Sequence, residues 1–174
     1  MRLFIALTLP EPALDAVAAV QDRLPAGRAV PVENLHLTLA FLGDQPEDAL
    51  EPLDEALRSL RAPQVALALA GAEVFGGRHG QAVALGAEGG PDLADLHARV
   101  AARVRGAGVA MQRRRFRPHV TVARLSGRAD AGALLQTLAP VKLGPYACGA
   151  VALTASTLHR DGAQHEVLAS YPLG

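Results

Sequence analysis

The chain has 174 residues, half of them hydrophobic, and its 17 basic side chains balance 17 acidic ones. That length supports a sizeable core and predicts a single two-lobed domain over residues 1–174. A formal charge of zero argues against a general polyanion binder while leaving room for a local basic patch. A lone cysteine, Cys148, excludes an intrachain disulfide and offers no zinc-ligand spacing, so it reads as a small buried apolar residue.

Residues 2–9 predict a first strand. Met1 to Leu7 begins like a secretory leader, but Pro10-Glu11-Pro12 ends the apolar run with no small-residue cleavage site beyond it. With no stretch of membrane-spanning length either, a cytoplasmic protein is expected. An amphipathic helix is predicted over 12–24, entered through Pro10 and Pro12 and closed by Pro25 and Gly27. A strand containing His36 ends at Gly43. Asp44 is then expected to cap a helix from Pro46 to about Leu60, bent at Pro52. Strands over 65–75 and 81–86 flank the turn Gly76-Gly77-Arg78-His79-Gly80. Pro91-Asp92 opens a third helix with Leu93, Leu96, Val100 and Val104 on one face. A second His-containing strand follows, then a short helix over 129–138. Strands over 147–158 and 164–171 close the chain around an Asp161-Gly162 hairpin turn. Mixed strands and helices without a linker predict an α+β fold: two pseudo-symmetric lobes of mainly antiparallel sheet with outer helices around a central cleft. The lobe boundary is expected near Gly86–Pro91.

The two His-containing strands share a pattern. His36-Leu37-Thr38-Leu39-Ala40-Phe41-Leu42 and His119-Val120-Thr121-Val122-Ala123-Arg124-Leu125 both read His, aliphatic, Thr, aliphatic, Ala, any residue, Leu, 83 residues apart. One His-x-Thr is a common accident, and satisfied structural histidines are frequent. A matched pair is not explained that way. On a strand His and Thr two apart leave the same face, with Ala next in line, while the aliphatic residues point into a core. One such strand from each lobe sets two imidazoles and two hydroxyls across a cleft. By the same alternation Arg124 falls on the face opposite His119, from which a long side chain at a strand end could still curl back.

These residues carry a family likeness. Asn34-Leu35-His36-Leu37-Thr38-Leu39-Ala40-Phe41-Leu42-Gly43 and Phe116-Arg117-Pro118-His119-Val120-Thr121-Val122-Ala123-Arg124 resemble the paired motifs of the two-histidine (2H) phosphoesterases. Within that superfamily the chain is most similar to the bacterial RNA 2',3'-cyclic phosphodiesterases, also called 2'-5' RNA ligases. The Arg-Leu-Phe-Ile-Ala-Leu opening and the closing Ser-Thr-Leu and His-Glu-Val-Leu strands extend the likeness over nearly the whole chain. The resemblance implies metal-independent hydrolysis of RNA 2',3'-cyclic phosphate ends to 2'-phosphates, with 2'-5' ligation as a reverse-type activity. It also implies His36 as proton donor to the 3' oxygen and His119 as proton acceptor from water. The chain departs from the family at Gln81-Ala82-Val83-Ala84-Leu85, where an aromatic-rich strand is common.

The chemistry of the residues is compatible. In-line opening of a cyclic phosphodiester needs a base and an acid on opposite sides of phosphorus, and imidazoles suit both tasks, although the residues alone do not order the roles. Thr38 and Thr121 are candidate donors to the nonbridging phosphate oxygens. Arg115, Arg117 and Arg124 are candidate RNA contacts, the first two within a basic run that reads equally well as a solvated edge. Phe4 and Phe41 are expected in the core. His159 and His165 are placed to pair across the last hairpin, and His97 on a half-buried helix face. No metal or cofactor is called for, because Thr is a poor ligand and the remaining histidines form no cluster with carboxylates. The expected partner is RNA with a cyclic phosphate end or a nucleotide, and the expected state a monomer. A phosphodiesterase acting on a small cyclic nucleotide or ADP-ribose cyclic phosphate is the alternative within the superfamily. A non-catalytic nucleotide- or RNA-binding module is the alternative of another class.

Overall fold

The computed structural model describes Met1–Gly174. Alternating stretches form strands β1 (Arg2–Leu7), β2 (Arg28–Ala29), β3 (Leu37–Asp44), β4 (Val65–Gly77), β5 (Gly80–Glu88), β6 (His119–Leu125), β7 (Lys142–Cys148), β8 (Ala150–His159) and β9 (Gly162–Pro172). The helices are α1 (Glu11–Gln21), α2 (Leu50–Arg58), α3 (Gly90–Gly106) and α4 (Gly132–Leu138). All strands join one sheet in the order β7-β4-β5-β6-β3-β1-β8-β9, with β2 beside β6, and every pairing is antiparallel. The expected α+β architecture with its His-x-Thr strand in each lobe is present. No helix is long and apolar enough to cross a membrane.

The sheet is two four-stranded halves that meet between β3 and β6 through one residue pair, Leu37 with Val120. Both residues are fully buried, because strand alternation sends them to the helix-covered face. Since 37 and 120 are equivalent positions of the repeat, this contact lies on the pseudo-twofold axis between the halves. Leu3, Ile5 and Leu7 of β1 and Val83 and Leu85 of β5 line the same buried face.

The division of the chain differs from a cut near Gly86–Pro91. Strands β8 and β9 return to the first half, beside β1. The helices are exchanged as well: α1, which follows β1, packs on β6 and β7, whereas α3, which precedes β6, packs on β3 and α2. A helix that follows a strand of one half thus covers the other half's apolar face. Local punctuation cannot report this.

Three smaller differences have local causes. Asp44 is the last residue of β3 and makes no helix cap; a 3-10 turn over Glu47–Ala49 leads into α2. Pro52 sits in the first turn of α2, where its missing N–H costs no hydrogen bond, so no bend arises there. The short strands β2 and β7 fall where the sequence shows no sustained alternation. At the β4–β5 hairpin Gly76 adopts φ 90°, and a Cβ there would stand 2.5 Å from the Gly80 carbonyl oxygen, so only glycine closes this turn.

Candidate active site

His36 immediately precedes β3 and His119 opens β6. Extending the Leu37–Val120 register by one residue in each direction sets His36 opposite Thr121, and Thr38 opposite His119. All four are half-buried and lie on the face that the helices leave uncovered. Because the two strands share a single pair, they part on either side of it and leave a cleft between the halves.

Both imidazoles are oriented by one device. His36 Nδ1–H donates to the Asn34 carbonyl oxygen at 2.7 Å, and His119 Nδ1–H donates to the Arg117 carbonyl oxygen at 2.6 Å. A carbonyl only accepts, so each Nδ1 must carry the proton and each Nε2 is left for chemistry. The equivalence ends at Nε2. That of His36 accepts from the Thr38 hydroxyl at 2.9 Å, whereas that of His119 has no protein partner. Each ring is also backed by an aromatic one: Phe4 of β1 lies 4.7 Å from His36, and Phe75 of β4 stacks on His119 at 4.1 Å.

Burial lowers the His36 pKa from 6.5 to about 4; its hydrogen bond to Asn34 opposes this, and the charges of His165, His119 and Arg124 add to it. His165 of β9 is lowered too, by burial and then by Arg124. Its ring stands edge-on to His36 at 5.3 Å and to Phe4 at 4.9 Å. It does not pair across the hairpin with His159: His165 is opposite Ser156, and His159 is opposite Gly162. Asn34 fastens this corner by donating from Nδ2 to the Ala163 carbonyl oxygen at 2.8 Å.

The alternation read from the sequence breaks at an equivalent place in each motif, and a second time in β3, where Leu42 is an extra residue against β1. Ala40 pairs with Ile5 and Thr38 with Ala6, which leaves Leu39 as an extra residue in β3; likewise Ala123 pairs with Val83 and Thr121 with Ala84, leaving Val122 extra in β6. Each bulge inverts the parity of the residues on its C-terminal side. Ala40 and Ala123 are therefore buried toward the core instead of standing beside the threonines, while Phe41 and Arg124 turn to the cleft face. Arg124 reaches the site because of the bulge, with no need to curl around the strand. Phe41 is 39% exposed and is no core residue; Phe4 is buried, with its ring among His36, Phe41 and His165.

The other arginines separate. Arg117 is engaged within the protein, 3.3 Å from Glu73 and 4.8 Å above the Phe75 ring, and Arg115 is exposed. His97 stacks on Phe116 at 3.9 Å, and burial lowers its pKa. Phe75, His165 and the two carbonyl acceptors were missed by sequence reading. Only the alternation of Glu73 and Phe75 along β4 hinted at a cleft-facing aromatic. No three His, Cys, Asp or Glu side chains converge as a metal site would require. A cavity of about 450 Å³ between α2 and the end of β9 contains none of the motif residues.

The model of the 2'-5' RNA ligase superfamily matches residues 9–160. An RNA 2',3'-cyclic phosphodiesterase of Methanothermobacter thermautotrophicus is 32% identical over 172 residues, covering 93% of this chain and 93% of that protein. One from Geobacillus stearothermophilus is 35% identical over 128 residues; that match covers 70% of this chain but only 41% of the relative's length. Among solved structures, E. coli LigT complexed with 3'-AMP superposes with a TM-score of 0.76 at 27% identity, covering 99% of this chain and 97% of that one.

Proposed function

Given that the chain belongs to the 2'-5' RNA ligase superfamily, we propose that it hydrolyses RNA 2',3'-cyclic phosphate ends to 2'-phosphates without a metal ion, residues 1–174 acting as one two-lobed unit. The observation that carries the reading is the pair of imidazoles held by Nδ1 with Nε2 left for chemistry, each with a threonine two residues along its strand, disposed about the Leu37–Val120 contact.

In this reading the phosphate seats between the lobes, and Thr38 and Thr121 donate to its nonbridging oxygens. His119 Nε2, free of protein partners, accepts a proton from the attacking water. The water oxygen bonds to phosphorus as the bond from phosphorus to O3' breaks on the far side. His36 Nε2–H then supplies the proton that the departing O3' requires. Arg124, turned inward by its bulge, offsets the phosphate charge. His36 is neutral in the free protein at pH 7, so it must take up a proton as the anion seats. An anion near Nε2 favours that uptake, and the Thr38 hydroxyl is thereby released from Nε2 to the phosphate. With a ribose 5'-hydroxyl in place of water, the same groups in the same roles describe 2'-5' ligation: His119 takes the hydroxyl proton and His36 protonates the departing O3'.

The test is turnover of an oligoribonucleotide with a 2',3'-cyclic phosphate end, in EDTA. Wild type should yield a 2'-phosphate, and His36→Ala and His119→Ala should each lose about a hundredfold or more. Absence of wild-type turnover on RNA, with turnover of small cyclic nucleotides, would move the substrate class. Binding without turnover on either would make the protein a sensor.

A further inference from the structure

Phe41, Gly43 and Asp44 of β3 line a cavity of about 310 Å³ together with Arg2, Gln112 and Arg114. We propose that this cavity is a subsite for the nucleotide immediately 5' of the reacting end, its phosphodiester held by Arg2 and Arg114 and its base set against Phe41. The proposal rests on the RNA-end reading above and adds that the protein distinguishes a strand from a mononucleotide.

Four observations converge on it. The cavity is near the site: Phe4 lies 4.7 Å from His36 and stacks 6.1 Å from Phe41, so two ring-to-ring steps separate the imidazole from the exposed face of Phe41. That spacing suits neighbouring units of one strand. Second, Phe41 is an exposed aromatic turned to this face by the β3 bulge, and Arg2 stands over its ring at 5.7 Å. An exposed ring beside guanidinium groups is the usual equipment for stacking a base and following its backbone. Third, Arg2 and Arg114 form no ion pair, although Asp44 lies opposite Arg2 in the strand register. Two unneutralised guanidinium groups in one recess suit a phosphodiester, which offers two anionic oxygens. Finally, Asp44 and Gln112 add an acceptor and an amide, and a ribonucleotide's 2'-hydroxyl and base edges can donate to or accept from these. Arg114 also gives the basic run ahead of the second motif a use by one member, since its neighbour Arg117 is engaged with Glu73.

The test compares adenosine 2',3'-cyclic phosphate, which has no 5' phosphodiester, with the dinucleotide ApA ending in the same cyclic phosphate. Wild type should show the higher kcat/KM on the dinucleotide. The double variant Arg2→Gln/Arg114→Gln, and separately Phe41→Leu, should lose about tenfold on the dinucleotide and leave the mononucleotide unchanged. The double variant should also flatten the salt dependence on the dinucleotide by about 0.7 in log–log slope, as for one lost single-strand phosphate contact. Equal rates on the two substrates, or a variant that loses both equally while melting like wild type, would overturn the subsite. If the double variant does not melt like wild type, the same comparison is made on each single exchange. If wild type turns over neither substrate, the hydrolase reading itself fails.

Discussion

Burial of His36 beneath Phe4 and beside His165 keeps it neutral in the free protein, with a pKa of about 4 against 6.5 for an ordinary imidazole. Acting as a proton donor therefore depends on the ligand. Calorimetry of inorganic phosphate binding at pH 7, in buffers of different ionisation heat, should show uptake approaching one proton, and His36→Gln should abolish it. Zero uptake would reverse the acid and base assignments. The depressed pKa also gives a sign for stability. The unfolded imidazole binds its proton near 6.5 and the folded one near 4, so the contribution is complete above pH 6.5 and is lost as pH falls toward 4. It amounts to at most about 3 kcal/mol, and it should appear as the wild type minus His36→Gln difference in urea-unfolding stability against pH. Cys148, buried and with its thiol pushed up to about 11, is an inert core residue as its sequence context suggests.

At the scale of elements, the two bulges decide which side chains serve the cleft. One extra residue at Leu39 and one at Val122 exchange a small alanine for Phe41 in one half and for Arg124 in the other. The motif's unspecified sixth position is therefore where the pseudo-equivalent halves diverge, apolar on one side and cationic on the other. Docking of α2 onto β9 illustrates a different kind of contact. Tyr171 donates to Asp54 Oδ1 at 2.6 Å, Asp54 also pairs with Arg58 at 2.9 Å, and burial followed by the Asp54 contact raises the Tyr171 pKa. Tyr171→Phe should destabilise the protein by about 1 kcal/mol in thermal unfolding while leaving turnover intact, because this corner lies apart from both motifs. A drop in kcat would place it in the catalytic path instead.

For the molecule as a whole, the exchange of α1 and α3 between halves ties two lobes that share only one backbone pair. Each half's apolar face is covered by a helix supplied from the other side of the axis. Unfolding should accordingly be one cooperative transition. Leu37→Ala, at the axis, should cost about 2–5 kcal/mol, and amide exchange should lose protection to the same extent in β1 and β5. Protection lost only around β1 would mean that the halves unfold separately.

Much of this was legible in the sequence because it depends on local periodicity. Alternation about His36 and His119, the Leu93-Leu96-Val100-Val104 face of α3 and the glycine-rich turn before Gly80 each follow from side-chain spacing, and the repeated motif located both catalytic candidates and their threonines. The remainder depends on contacts between residues far apart in the chain. Alternation continues through a bulge unless the partner strand's register is known, so Arg124 was assigned to the wrong face and Ala40 and Ala123 to the cleft. His165 reaches the site from a strand whose own sequence gives no sign of it, and Phe75 from one whose alternation only hints at it. The sequence by itself determined the chemistry that the chain carries, because residue type and period are local properties. Only the tertiary structure decided which side chains surround that chemistry, because strand order, register and the exchange of helices are set by long-range burial.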